Sequence, residues 1–436
     1  MRILGIETSC DESAVCLIDA EGSFGSDFQF KVLGNSLNSQ IAIHAQYGGV
    51  FPNLAKREHA KNLVPLLEQT LSEAGMSLDT YTDISAYADK LREILAREPE
   101  LYTQLLDFFS KNTKREHSNI LQNVGMLQKP EIDAIAVTVG PGLEPALWVG
   151  INFARALSLV WNIPIVAVNH MEGHFVSALL RDDEGFRFQV SGNSEINTKT
   201  YNLEPITYPL LALLISGGHT ELVLSSKLHD YKILGATRDD AVGEAFDKVA
   251  RLLGLPYPGG AELSALAERA RKSHEMSSQS IEMTSHWMLP RPMLHDKTLD
   301  FSFAGLKTAV LRLVEAEGSR RSDLPGRSDL LEFRMQIARE FEDAVTEVLV
   351  AKTMKAVDEY GVQTVVVGGG VSANGFIKSR IAEALEKAGL PRPLVPSREL
   401  ATDNAIMIAL AGYFRAKNRD FVNPDMLKAN GNLKLA

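Results

Sequence analysis

The sequence predicts an α/β fold in which one order of elements occurs twice. Short β-rich apolar runs alternate with segments of helical periodicity, and a run of three strands followed by crossover units opens at Arg2 and again at Leu210. The first pass reads as strands over Arg2–Ile6, Ala14–Ile18 and Phe28–Leu33, a helix over Lys56–Leu71, a strand over Asp133–Val139, a helix over Pro145–Trp161 and a strand over Pro164–Val168. The second reads as strands over Leu210–Ile215, Thr220–Leu224 and Tyr231–Leu234, a helix over Asp240–Leu253 and a helical insertion. A strand over Gln363–Val367, a helix over Asn374–Ala388 and a strand over Pro393–Val395 complete it. Such a repeat with little sequence identity predicts two similar lobes with a ligand in the cleft between them. Lobe one spans 1–208 together with a C-terminal helix over 402–417, and lobe two spans 209–401.

Two stretches of lobe one read as insertions. Residues 77–130 place Leu91, Ile94 and Leu95, then Leu101, Leu105 and Leu106, at helical spacing, which predicts an added helical hairpin. Residues 182–208, rich in Asn, Ser, Thr and Gly, predict a surface loop or hairpin. The polar tail after Lys417 is expected to fray.

Composition narrows the function classes. The 436 residues are 45% hydrophobic and 23% charged, which excludes bulk disorder, and the net charge of −10 argues against non-specific coating of nucleic acid or anionic membrane. The longest apolar stretch, Ala154–Val168, is interrupted by Arg155, Asn162 and Pro164 and falls short of the roughly 18 residues a membrane span needs. The N-terminus meets Glu7 too early for a secretory signal, and the two cysteines, Cys10 and Cys16, suit a reducing compartment. A cytoplasmic protein is expected.

Turns of small residues occupy equivalent places in the repeat. Glu7-Thr8-Ser9-Cys10-Asp11-Glu12 joins the first two strands of lobe one, and Ser216-Gly217-Gly218-His219-Thr220 those of lobe two. Either serves as plain hairpin chemistry, but the matched pair suits an anion approached closely by backbone N–H groups. Gly368-Gly369-Gly370-Val371-Ser372-Ala373-Asn374 follows a strand and opens a helix, a common nucleotide position, without the spacing of a dinucleotide fingerprint. His170 and His174 lie at i and i+4 on one helix face and can present two imidazoles to one metal ion. Glu172 falls about 200° round the helix from His170, which excludes the metallopeptidase arrangement. Asp403 reads either as a third, hard ligand or as a helix N-cap. Asp247 and Lys248 are adjacent and so not on one face, and Tyr257-Pro258-Gly259-Gly260 is a rigid turn before a helix.

Taken together, the motifs resemble the tRNA threonylcarbamoyladenosine transferases, the Kae-one/Tsa-D/Qri-seven group, which have the two-lobed actin-like ATPase fold. The matches also include His44-Ala45-Gln46-Tyr47-Gly48-Gly49-Val50, Gly140-Pro141-Gly142-Leu143, Gly243 to Lys248, Asp300 to Lys307 and Thr402-Asp403-Asn404-Ala405. The resemblance implies that His170, His174 and Asp403 bind one divalent metal ion, iron or zinc. It also implies that Leu214, Ile215, Ser216, Gly217, Gly218, Asp247, Gly260 and Asn374 hold the adenylate part of a threonylcarbamoyl adenylate, and Ser9 is expected to contact the nucleotide from the lobe-one side. The implied acceptor is the exocyclic amine of the adenosine just 3′ of the anticodon in tRNAs reading codons that begin with A, with AMP released. Asp11 and Glu12 are candidates for positioning the amine or removing its proton. Implied partners are tRNA, threonylcarbamoyl-AMP, a smaller ligand-lacking paralogous subunit and a small P-loop ATPase, or alternatively a second copy of the chain in a homodimer. Ala401 stands where many bacterial members have Cys, which is not among the implied ligands. A kinase of the same fold and a nucleotide-switched scaffold are the competing readings. A protein-held transition metal separates the transferase from the kinase, and unchanged tRNA would mark the scaffold.

Overall fold

Strands β1 (Arg2–Glu7), β2 (Glu12–Glu21) and β3 (Gln29–Ser39) form an antiparallel meander. The structure is a computed structural model that describes residues 1–25, 27–76, 84–111, 130–182, 200–276, 287–320 and 327–435. Helices α1 (Ile41–Ala45) and α2 (Pro52–Glu73) follow, the second starting on a proline, whose missing N–H is tolerated in the first turn. Next come a 3-10 turn at Ile84–Tyr87 and helices α3 (Ala88–Ile94) and α4 (Pro99–Lys111). Then β4 (Ala134–Gly140), α5 (Glu144–Trp161), β5 (Ile165–Asn169), α6 (His170–Ser177), β6 (Leu180–Asp182) and β7 (Thr200–Leu203) complete the first run. β4 is buried along its whole length, as expected of a parallel strand with an unbroken apolar run. The sheet order is β5-β4-β1-β2-β3-β7-β6.

The second run repeats the plan. β8 (Leu210–Ile215), β9 (Thr220–Lys227) and β10 (Asp230–Ala236) form the meander, α7 (Val242–Leu252) follows, and α8 (Gly260–Met276), α9 (Ala304–Arg320) and α10 (Arg327–Tyr360) supply the helical insertion. β11 (Thr364–Gly368) joins β8 in parallel, giving the order β10-β9-β8-β11, and α11 (Gly375–Lys387) and α12 (Arg398–Ala401) follow. Helix α13 (Ala405–Lys417) then returns to the first sheet. It packs so closely on β1 that a Cβ at Gly5 would lie 2.4 Å from the Ala405 carbonyl oxygen. Two compact units result, Met1–Pro205 with Thr402–Leu435, and Ile206–Ala401.

Two expectations are revised. The strand over Pro393–Val395 is a single parallel bridge between Val366 and Leu394. Leu394 donates to Val365 and accepts from Val367, while Pro393 and Pro396 have no N–H to extend the ladder. The tail does not fray. Val422 bridges the edge strand β5 at Ile165, the Asn430 N–H donates to the Val139 carbonyl at 2.9 Å, and Leu427 and Leu435 are buried. A polar average concealed these few apolar anchors, which also cover a sheet edge. Within 77–130 the described residues include the helices α3 and α4, and Leu91, Leu95, Leu101 and Leu105 are buried with Leu63, Leu67 and Trp161 in the first unit's core. Residues 77–83 and 112–129, and most of the loop expected over 182–208, lie outside the described residues.

Candidate functional site

Helix α6 begins where β5 ends because Asn169 caps it, its side-chain oxygen accepting from the Met171 N–H at 2.8 Å. This fixes the first turn and points His170 and His174 the same way, with ring centroids 4.7 Å apart. Asn404 caps α13 by accepting from the Met407 N–H at 2.9 Å. The N-cap reading of Asp403 is thereby corrected, since its neighbour does that work and leaves Asp403 Oδ1 at 3.4 Å from His170 Nε2 and 3.1 Å from His174 Nε2. One ligand atom from each residue lies within 4.8 Å of the others. Glu172, on the opposite side of α6, is fully buried and paired with Arg415 at 2.7 Å, remote in role from the imidazoles.

The donor set fits a divalent cation. His174 is fully buried, and among the described residues its Nδ1 has no hydrogen-bond partner while its Nε2 faces Asp403 Oδ1 at 3.1 Å, an arrangement that a metal on Nε2 would suit. Two imidazoles and a carboxylate suit iron or zinc. Burial alone would raise the Asp403 carboxyl, but His170 and His174 hold it well below the usual carboxylate range. Burial likewise works to lower His170, and Asp403 and Glu7 outweigh it to raise its imidazole well above the ordinary value. Carboxylates on both sides of that ring thus create the negative field in which a cation is favoured.

Sequence reasoning passed over Glu7. It is fully buried at the end of β1, where its carboxylate accepts from the Ser9 N–H at 2.5 Å, the Thr138 hydroxyl at 2.6 Å and His170 Nδ1 at 3.0 Å. Burial pushes its carboxyl up, and His170 and Thr138 more than reverse that, leaving it lowered. The available signal was an acid closing an apolar strand that pairs on both edges. Ser9 is 2% exposed, its hydroxyl 3.2 Å from His170 Nδ1, and the β4–α5 loop braces its turn through Leu143 N–H donation to the Ser9 carbonyl at 2.7 Å. Gly142 has φ +156°, and a Cβ there would meet that carbonyl oxygen at 2.6 Å.

Asp11 and Glu12 are half-buried in the same β1–β2 turn. The turn is held by the Gln40 N–H donating to the Asp11 carbonyl at 2.8 Å and by His59 Nε2 at 3.0 Å from the Cys10 carbonyl oxygen. His59 Nδ1 lies 2.7 Å from the Ser13 hydroxyl. Burial, reinforced by the charges of Asp403 and Asp11, pushes Glu12 up to about 9.

In the second unit the Ser216–Gly218 turn is closed by the His219 N–H donating to the Ser216 hydroxyl at 3.1 Å. Gly217 and Gly218 are exposed, and a Cβ on either meets nothing within 4 Å, so their backbone is open to a ligand. The Leu214 and Ile215 side chains are fully buried, leaving only their backbone for contact. Asp247 accepts from the Gly259 and Gly260 N–H groups at 2.8 and 3.1 Å, which brings α7 to the start of α8. Asn374 caps α11 through its oxygen and donates to Ser264 at 2.8 Å and Glu342 at 2.7 Å. Lys248 turns away to Asp240 and Glu244.

A meander with parallel crossovers built twice, the first copy carrying a His-His-Asp group whose histidines are buried, defines a protein of the actin-like ATPase fold with a candidate metal centre. The chain belongs to the tRNA N6-adenosine threonylcarbamoyltransferase family, whose model matches residues 31–88, 108–195 and 192–410. Two relatives bearing that name are similar along nearly the whole chain. The one from Chromobacterium violaceum is 39% identical over 417 residues, covering 96% of this chain and 94% of the relative. The one from Aromatoleum aromaticum is 38% identical over 416 residues, covering 95% and 92%. Among solved structures, component A of the (R)-2-hydroxyglutaryl-CoA dehydratase of Acidaminococcus fermentans aligns with TM-score 0.40 and 12% identity, over 96% of this chain and 99% of that one. Among the described residues, no helix is long and apolar enough to cross a membrane.

Proposed function

We propose that the protein transfers the threonylcarbamoyl group from threonylcarbamoyl-AMP to the exocyclic amine of the adenosine 3′-adjacent to the anticodon, in tRNAs reading codons that begin with A, and releases AMP. The observation that carries this reading is the group of buried His170 and His174 with half-buried Asp403 in a chain of this family. These three residues would hold one iron or zinc ion, which as a Lewis acid would polarise the acyl group and steady developing negative charge. The amine nitrogen bonds to the carbamoyl carbon, the anhydride bond to the phosphate oxygen breaks, and the amine proton goes to a base. Asp11 and Glu12, neighbours in the β1–β2 turn, are the candidates for positioning the amine or taking its proton. The open backbone of Gly217 and Gly218, with the Asp247–Gly260 corner and Asn374, is proposed to receive the adenylate, and Ser9 the group to be transferred. An aromatic amine is a poor nucleophile, so holding it against a good leaving group is the main task of these residues.

The smaller paralogous subunit and the P-loop ATPase are proposed partners for turnover, and a cytoplasmic location follows from the substrate. The test is nucleoside analysis of tRNA incubated with purified protein and threonylcarbamoyl-AMP, with and without both partners. Threonylcarbamoyladenosine is the expected product, and its absence in the complete mixture would defeat the assignment. Replacing His174 by Ala should remove bound iron or zinc by elemental analysis with the fold retained. Equal metal content in both proteins would remove the metal from the proposal.

A further inference from the structure

Glu7 is fully buried and accepts from three donors on three elements, the Ser9 N–H of the β1–β2 turn, the Thr138 hydroxyl of β4 and His170 Nδ1 of α6. A buried carboxylate with its oxygens so divided leaves its partners little freedom. It has a consequence for the imidazole. If Nδ1 carries the proton given to Glu7, only Nε2, the nitrogen that faces Asp403 at 3.4 Å, has a lone pair for a metal. Among the described residues, His174 Nδ1 has no such hydrogen-bond partner.

We propose that Glu7 is the positioning residue of the metal centre, fixing His170 as an Nε2 ligand while its other oxygen holds the Ser9 backbone, so that the metal ligand and the β1–β2 turn are set by one carboxylate. This inference rests on the metal reading of His170, His174 and Asp403. It makes His170 the rigid ligand and His174 the adjustable one. An amide cannot replace the carboxylate. With its oxygen toward His170 and Thr138, a glutamine would present N–H to the Ser9 N–H, and with its oxygen toward Ser9 it would present N–H to His170 Nδ1, which then has to accept and carry its proton on Nε2 instead.

The test compares metal-stripped wild type, Glu7→Gln, Glu7→Asp and His174→Ala, each titrated with Co(II) and followed by visible ligand-field absorption against a competing chelator. Glu7→Gln should weaken affinity by about 10–100-fold and change the absorption band. Glu7→Asp, which keeps the charge, should recover part of the loss. Loss of metal in His174→Ala beside wild-type affinity and spectrum in Glu7→Gln would overturn the role of Glu7 while leaving the metal reading intact. Equal affinity in wild type and His174→Ala would fail the metal reading itself. Should Glu7→Gln not fold, NMR of isotope-labelled histidine in the zinc-loaded wild type decides. Metal on Nε2 of His170 with a proton on Nδ1 supports the inference, and metal on Nδ1 overturns it.

Discussion

His59 shows how much one buried side chain can tie to pH. Burial, against the hydrogen bond to the Cys10 carbonyl, pushes its imidazole from the ordinary 6.5 down to about 4. Between these values the unfolded chain binds a proton that the folded chain refuses, so stability is full above 6.5 and falls as pH drops toward 4. At about 1.36 kcal/mol per pH unit the loss is on the order of 3 kcal/mol. His59→Gln, which cannot titrate, should therefore flatten the acid limb of urea-unfolding midpoints measured between neutral pH and pH about 4.5. Parallel limbs for both proteins would assign the acid sensitivity elsewhere. Gly217 gives a second residue-scale expectation. Its added Cβ would enter open space, so Gly217→Val should leave thermal stability nearly unchanged while weakening adenylate binding in calorimetry at least tenfold. Unchanged affinity would remove this turn from the proposed adenylate site.

At the scale of elements, the metal ligands are placed by caps and by a tail. Asn404 both caps α13 and donates to the Thr402 carbonyl at 2.7 Å, so the residue between them, Asp403, is held on either side. Asn404→Ala should cost about 1 kcal/mol of stability and also weaken metal binding, because the cap and the ligand share one turn. A lowered midpoint with unchanged Co(II) affinity would separate the two roles. The tail acts on the other flank. Asn169, the cap of α6, donates to the Lys434 carbonyl at 3.2 Å, and Gly431 lies against the Gly142 carbonyl, where a Cβ would come within 2.8 Å. Deleting residues 421–436 exposes the edge of β5 at Ile165 and removes the buried Leu427 and Leu435, leaving the apolar surface they cover open to water. It should lower the melting temperature and promote association detectable by light scattering.

For the whole molecule, a net charge of −10 sets the terms on which a polyanion can dock. Binding has to use a confined basic surface and should weaken as salt rises. Lys56, Arg57, Lys61, Lys111, Lys114 and Arg115 are the lobe-one cations proposed for this surface; Lys56 is engaged with Glu98 at 3.2 Å and with the Arg97 carbonyl, and Lys61 pairs with Glu58. Arg57 and Lys61 are exposed one turn apart on α2. The Lys114 and Arg115 positions, and the side chain of Lys111, lie outside the described residues. Arg57→Glu combined with Lys61→Glu should lower tRNA binding several-fold at about 50 mM salt and reduce the salt slope, with adenylate affinity unchanged. An unaltered slope would move the tRNA surface to other residues or to a partner.

The sequence by itself determined the repeated order of strands and helices, because apolar periodicity reports which face of each element must leave water. It also determined the His170–His174 pair, since i, i+4 spacing on a helix places two side chains together whatever the tertiary context. What it left open was the identity of residues brought in from a distance. Asp403 read equally well as a cap, and only the packing of α13 on β1 shows Asn404 taking that task and Asp403 meeting the imidazoles. Glu7 read as part of a polar turn, since nothing local says that a carboxylate at a strand end will be sealed between β4 and α6. The tail read as loose because its average is polar, while a few apolar side chains and backbone pairs hold it on β5. Periodicity is a local property and survives in one dimension. Burial of a charge, the choice between two capping residues and the covering of a sheet edge depend on which distant groups arrive, and that is decided only in three dimensions.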